Sequence, residues 1–540
     1  KTEIGINEAR SLISEADVVF DNFRTGCIKS LLGDDIFERK GLIYVSINAF
    51  SSHDLINKTT KGWEIAIMSA CGILKEMGIN RRLMNIPVSY THLPLASVYA
   101  SVYAAMACLS GLVFRETVDK DYSDEIEVVM SCVLLDVLSH NTLQIEDLPE
   151  DFKSRRVVAF ENENGDRPVS PSELDSLCDP FFVKYACLDN RYIYLVAPCH
   201  TKHQINTLLV VLSDNELNRM EQKLTAPVTK LVGLNKIGDN DADIIKATLT
   251  TAFRGRKAET WIAILQQRNV PISMFRSLPE WIDLKKDTAH FRKIKHIGAA
   301  DAPVIVPSQL SWLECHESLL EKKVVHGWDP QVMQRIDGKK TWFNNLKILD
   351  CTNVIAGPTI SHIMARFGSN VTRVELPVCE NPYGSIVTDL YAIVTGRGKK
   401  RIHMNVHKER VKFEQLMREH DVVIFNSTLE SMNRLNLTYS EIYNIKENII
   451  ICRFDAFGAS QVVTSDSSPI NSDNLVGYDD NIQAAVGIME RFGGSLSGAE
   501  EHAQVGLIDA ISGVAGALSI ASAILRQRRH GSTCIARSSL

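Results

Sequence analysis

KILDCTNVIAGPTISHIMARFGSNVTRV, Lys347 to Val374, reads as strand, tight turn, helix and strand. Ile348 and Leu349 are strand-forming, Gly357 supplies a permissive turn, and Pro358 suits a first helical turn, whose N–H groups lack intrahelical partners. Ile360, Ile363, Met364 and Phe367 follow at i, i+3, i+4 and i+7, one buried helical face, and Val371 to Glu375 returns as a strand. The spacing predicts a βαβ unit.

Around that unit the chain has an ordinary globular composition. Its 540 residues, 45% hydrophobic and 23% charged, are enough for two to four domains. A net charge of −6, with no run of like charges, gives no reason to expect nucleic acid or an anionic membrane as a partner. The twelve cysteines are scattered without a CxxC pair, which favours reduced thiols over disulfides or a zinc site. No secretory signal is visible after Lys1. The expected location is cytoplasmic, with mitochondrion and peroxisome as alternatives. The most apolar window, Val505 to Leu525, is long enough to span a bilayer, but it holds Asp509 near its start, and a carboxylate in lipid is costly. It reads as a buried core helix.

The chain repeats itself. Asp17-Val-Val-Phe-Asp-Asn-Phe recurs as Asp421-Val-Val-Ile-Phe-Asn-Ser, and Ile43-Tyr-Val-Ser-Ile-Asn-Ala-Phe recurs as Ile450-Ile-Cys-Arg-Phe-Asp-Ala-Phe. Gly62-Trp-Glu, with Gly72-Ile-Leu ten residues on, recurs as Gly477-Tyr-Asp, with Gly487-Ile-Met ten residues on. Offsets of 404, 407 and 415 imply two copies of a whole domain and not a solenoid. The first copy lacks a counterpart of the Lys347 to Val374 unit, and the second reaches Leu540 in a segment that parallels Ile126 to Met130. The expectation is therefore the middle of a longer tandem protein, in which the final Ser-Ser-Leu is not a peroxisomal address.

Four regions follow: 1–150, the large-domain portion of copy one; 151–290, a small α+β domain; 291–340, a connecting segment; and 341–540, the large-domain portion of copy two. In the small domain, residues 151–180 read as a polar linker, Phe182 to Val196 as a hairpin turning at Asp189-Asn190, His203 to Leu224 and Asp241 to Gln267 as helices, and Val270 to Phe275 as a short strand.

Taken together, ILDCTNVIAGP, RFGSNVTRVELP, Gly396-Arg-Gly-Lys-Lys-Arg401, GYDDNIQAAVGIM and an aspartate some thirty residues later resemble the family III CoA-transferases, the CaiB/BaiF family, over nearly the whole chain. The resemblance implies an α/β fold, with Rossmann-like large domains and a smaller α+β domain, present here in tandem. A two-copy chain is similar to the transferase/lyase members of the family. It also implies interlocked dimers, which a tandem chain can satisfy as an intramolecular pseudo-dimer, with a homodimer as the alternative.

The family's catalytic aspartate falls on Asp509, in Val505-Gly-Leu-Ile-Asp509-Ala-Ile-Ser-Gly; copy one has Ser97 there, aligned through Tyr103-Ala-Ala. On the residues alone Asp509 reads first as a helix N-cap, which aspartate does well. With the resemblance it becomes the nucleophile that forms an acyl-aspartyl anhydride, then an aspartyl-CoA thioester, before CoA passes to a second carboxylic acid. The implied substrates are acyl-CoA and a carboxylic acid; no cofactor is held permanently and no metal is called for.

Further positions carry over for CoA. Ile355 and Ala356 lie in the turn; formyl-CoA transferases have Gln at the former, which argues against formyl or oxalyl chemistry here. Arg397 and Lys399 are available to phosphates, although the same six residues read equally as a solvated basic turn. Copy two keeps Asn426 and has Arg434 where a CoA-binding arginine is expected, whereas copy one has Ser30. Leu376 stands where an arginine is found in formyl-CoA transferases. Tyr478 replaces the His of the Gly-His-Asp pattern of α-methylacyl-CoA racemases, and a phenol near pKa 10 is a poor base, so transfer is favoured over racemisation. Racemase, transferase/lyase and inactive CoA-binding scaffold are the alternative readings.

Overall fold

The computed structural model describes residues 2–74, 83–88, 93–118, 120–140, 145–149, 153–162, 168–198, 200–232, 237–286, 288, 290–294, 304–315, 328, 341–377, 386–458, 461–462, 470–471, 474–492 and 506–540. In copy one, β1 (Val18–Asp21), β2 (Ile43–Asn48) and β3 (Asp124–Val129) form a parallel three-stranded sheet in that order. Between β2 and β3 run α1 (Glu64–Ala70) and the long α2 (Leu95–Thr117). A parallel strand pair needs such a crossover, and the helices cover the sheet face that would otherwise be wet.

The small domain holds an antiparallel sheet of β4 (Phe182–Ala186), β5 (Tyr192–Val196) and β6 (Ile272–Met274). Its hairpin turns through Asn190 at φ 57°, a left-handed conformation that asparagine tolerates. Each of the two expected helices is split. The first becomes α3 (Thr201–Val211) and the helix Asp214–Glu221, because Ser213 starts a new helix through a capping box with Glu216. The second becomes Asp239–Phe253 and Ala258–Gln266, parted around Gly255. The polar stretch expected as a linker carries the helices Arg155–Asn162 and Pro171–Ser176, the latter with a capping box from Ser170; its residues 163–167 lie outside the described residues. The segment 291–340 does more than connect. Its β7 (Ser311–Glu314) is the edge strand of the copy-two sheet, and residues 316–327 and 329–340 lie outside the described residues.

Copy two is organised by the unit read first from the sequence. β8 (Lys347–Cys351), α4 (Ala356–Arg366) and β9 (Asn370–Glu375) form a βαβ unit with β8 and β9 parallel. β10 (Lys399–His403), β11 (Val422–Phe425), β12 (Ile450–Asp455) and β13 (Ile535–Ser539) complete a seven-stranded sheet ordered β10-β9-β8-β11-β12-β13-β7, parallel except at β7. β11-β12-β13 repeats β1-β2-β3. Ile360, Ile363 and Met364 are fully buried as their spacing predicts, each worth about 1.5–3 kcal/mol of apolar transfer. Gly357 does not make the turn. The left-handed residue is Val354 at φ 66°, and Gly357 is needed inside α4 because a Cβ there would lie 2.6 Å from Thr352 Cβ.

Three further copy-two helices matter for the site: α5 (Leu429–Arg434), α6 (Asp479–Ala485) and α7 (Leu507–His530). α7 is the apolar window flagged in the sequence, and it lies buried between α4 of its own copy and α2 of copy one. Val102, Met106 and Val113 of α2 share one core with Ile348, Ile360 and Ile520 of copy two. Across the same junction Arg366 pairs with Asp136 at 2.5 Å, Arg529 with Glu116 at 2.6 Å, and Trp342 Nε1 donates to Asp124 Oδ2 at 3.1 Å. The two copies thus form one pseudo-dimeric body.

Gly513 and Gly516 set the α4–α7 crossing. A Cβ on Gly513 would stand 2.5 Å from Thr359 Cγ2, and one on Gly516 2.5 Å from Ile360 Cδ1. Gly513→Val is expected to cost about 1–3 kcal/mol by overpacking, read as a lower urea midpoint. An unchanged midpoint would show that the crossing is not close-packed.

Candidate functional site

A cavity of about 250 Å³ opens where α4, α5, α6 and α7 of copy two meet the small domain of copy one. Asp509, the third residue of α7, lines it beside Ile355 and Ala356 at the start of α4. The Ala356 N–H donates to the Asp509 carboxyl. Pro358 has no N–H, and in this first helical turn, where the helix dipole favours negative charge, the Ala356 N–H is the donor that meets the carboxyl. Asp509 is only 8% exposed. Burial, then the charges of Asp479 and Asp480, hold its carboxyl well above the usual carboxylate range.

Asp479 positions the backbone of Asp509. Its Oδ2 accepts from the N–H groups of Ile508 and Asp509, the latter at 2.9 Å, and its Oδ1 accepts from Gln483 Nε2. Copy one has the same device: Glu64 accepts from Ala96 N–H at 2.7 Å and from Ser97 N–H at 3.0 Å. Ser97, third residue of α2, therefore stands where Asp509 stands, and copy one carries no carboxylate on that helix turn. The role of Asp479 was open to sequence reading, because Gly-Trp-Glu and Gly-Tyr-Asp place an acid at the same point of both copies. Replacing Asp479 with Asn keeps an acceptor but removes a charge, so the Asp509 pKa should fall. The acid limb of the pH–rate profile is then expected to move to lower pH; a limb that stays in place would show that this charge does not control Asp509.

Asn426 acts on the loop before α4. Its Oδ1 accepts from Asn353 N–H at 3.0 Å and its Nδ2 donates to Asn353 O at 2.8 Å, pinning the turn next to left-handed Val354. A β-branched residue in that conformation is strained, and such strain collects at functional sites. Arg434 lines the cavity from α5, exposed, and donates to Ser431 Oγ at 2.9 Å on its own helix. Tyr478 caps α6 and packs with Phe182, Tyr194 and Phe275 of the small domain, whereas Trp63, its counterpart in copy one, is 71% exposed.

Two expected phosphate contacts lie elsewhere. The Lys399 ammonium is fully buried, 3.1 Å from Asp350 Oδ2, and donates to Pro358 O at 2.7 Å and Ser361 Oγ at 2.6 Å. Burial pulls Lys399 down to about 8, with Asp350 opposing. Burial works to raise Asp350, yet Lys399, Arg373 and the hydroxyls of Ser361 and Thr352 hold it below the ordinary range, so both are charged at neutral pH. Arg397 is exposed, donates from Nε to Val394 O at 3.2 Å, and borders a separate cavity with Asp136, His362 and Arg366.

Copy one also supplies residues that sequence reading missed. His200, Lys202 and His203 on and before α3, with Asn269, line the Asp509 cavity. The two imidazoles stack at 3.8 Å, and burial, then His200 and Lys202, push His203 down to about 3, so it is neutral. Tyr99 of α2 donates to Leu507 O at the start of α7. Nothing local in the sequence marks these residues; only docking brings them to the site.

This fold, with a buried carboxyl at a helix start between duplicated halves, defines a class. The chain belongs to the family III CoA-transferases, whose family model matches residues 1–313 and 343–540, two segments that fit the two-copy architecture. It is 31% identical to the CoA-transferase/lyase DddD of Marinomonas sp. (strain MWYL1) over all of this chain and 68% of that protein. It is 29% identical to the acetyl-CoA:oxalate CoA-transferase of Acetobacter aceti over 35% of this chain and 48% of that protein. Among solved structures it is similar to a CaiB/BaiF family protein from Brucella suis, at 24% identity and a TM-score of 0.31 over 37% of this chain and 53% of that one. The chain thus spans about two thirds of the first relative and about half of the others.

Proposed function

We propose that Asp509 is the nucleophile of a CoA transfer from an acyl-CoA to a carboxylic acid. The observation that carries this is its buried carboxyl at the amino end of α4, inside a cavity walled by both copies. An Asp509 oxygen attacks the thioester carbonyl; the C–S bond breaks, giving an acyl-aspartyl anhydride and CoA thiolate. The thiolate attacks the aspartyl carbonyl, releasing the first carboxylate and leaving aspartyl-CoA. The acceptor carboxylate attacks that thioester, and the freed thiolate then attacks the acceptor's carbonyl, giving the new acyl-CoA and restoring Asp509. The amide of Ala356, which donates to the Asp509 carboxyl, would steady the developing oxyanions, and walls from both copies would exclude water that hydrolyses the anhydride.

Asp509 must be ionised to attack. Since burial raises its pKa, the rate should climb with pH well above the usual carboxylate range before levelling. A second reading, a transferase that also carries out a lyase step, is supported by the relative of that name matching the whole chain. Incubation of the full chain with acetyl-, propionyl- and succinyl-CoA plus hydroxylamine tests both. A hydroxamate on Asp509 supports transfer, elimination of an acyl substituent adds the lyase step, α-proton exchange without a hydroxamate replaces transfer by racemisation, and CoA binding with none of these leaves a scaffold.

A further inference from the structure

We infer that Lys202, from the small domain of copy one, is a second anchor for the phosphates of a CoA thioester, facing Arg434 of copy two across one cavity. The inference rests on the proposed CoA chemistry. Lys202 is exposed, lines the cavity that holds Asp509, and makes no ion pair or hydrogen bond among the described residues. Arg434, on the opposite copy, is bound among the described residues only to the neutral Ser431 hydroxyl.

The charges on the cavity wall favour a second cation for a polyphosphate ligand. Three carboxylates stand on the cavity wall among the described residues: Asp455, paired with Arg537 at 2.7 Å, Asp509, and Glu430, four residues before Arg434 on the same short helix. Arg434 alone therefore leaves little net positive potential for a ligand with several phosphate charges. Among the described residues Lys202 is the other lysine or arginine on that wall, and it arrives on a different copy. A thioester held by both would clamp the small domain of copy one against the large domain of copy two.

The test uses the full chain and two ligands, CoA and pantetheine, which lacks the nucleotide phosphates. Lys202→Ala should weaken CoA binding about tenfold by calorimetry, the change a single charge-assisted contact of about 1.4 kcal/mol gives. It should leave pantetheine binding unchanged, and Lys202→Arg should restore CoA binding. Where turnover is measured, KM for acyl-CoA should rise with little change in kcat. Equal weakening of CoA and pantetheine would overturn the inference, as would CoA binding that ignores the substitution. Because the readout is binding, absence of an Asp509 hydroxamate would count against the catalytic reading and not against this one.

Discussion

Asp509→Ala is expected to abolish CoA transfer, by at least about 10³-fold in kcat/KM, with the hydroxamate trap lost as well. The neighbouring Asp479 cannot substitute. Asp479 is committed to the backbone of the same helix turn, and Ser97 occupies the matching turn of copy one. The companion substitution Asp509→Asn separates chemistry from folding. The folded pKa of Asp509 is raised, so between the ordinary value of about 3.9 and the raised one the native state holds more protons than the unfolded chain, and stability falls as pH rises through that window. An uncharged isostere escapes this cost. Asp509→Asn should therefore be inactive yet melt higher than the wild type at neutral pH, the gain vanishing below about pH 3.9. An inactive variant that melts lower at every pH would mean that the carboxylate serves the fold, as the N-cap reading has it, and full retention of transfer would sink the nucleophile assignment.

Lys399→Met should destabilise the protein by about 3–5 kcal/mol, because it leaves a fully buried Asp350 carboxylate without its cation and the Pro358 carbonyl without its donor. Urea unfolding reads this directly. The expectation separates two roles for one residue: a phosphate contact would raise KM and leave the midpoint alone, whereas the buried pair moves the midpoint first. Asp350 is held by the Thr352 N–H and by the hydroxyls of Thr352 and Ser361, so the pair ties β8, the turn and α4 to β10. Loss of the pair should loosen the turn that faces Asp509, and activity should fall with stability.

Much of this was legible in the sequence. The βαβ unit could be placed because β8 is flanked by other strands and α4 is covered, so their apolar spacing is undiluted. The repeat was visible because each copy reuses similar strand sequences in the same order, and Asp509 because an ionisable group in an apolar helix is conspicuous. The errors share a cause. Lys399 read as a phosphate contact because a basic run looks solvated; whether a lysine points outward or beneath a sheet depends on strands distant in the chain. Gly357 read as a turn former because glycine permits positive φ, when what it meets is the Thr352 side chain. Helix ends in the small domain were misplaced where a serine cap interrupts an otherwise continuous apolar pattern.

The sequence by itself thus determined the strand and helix units, the duplication, the family resemblance and the candidate nucleophile, since each rests on local periodicity or on residue order. Only the tertiary structure decided which residues face that nucleophile. The small domain of copy one, with His200, Lys202 and His203, meets copy two through contacts between residues hundreds of positions apart, and packing across such distances leaves no local pattern in the chain.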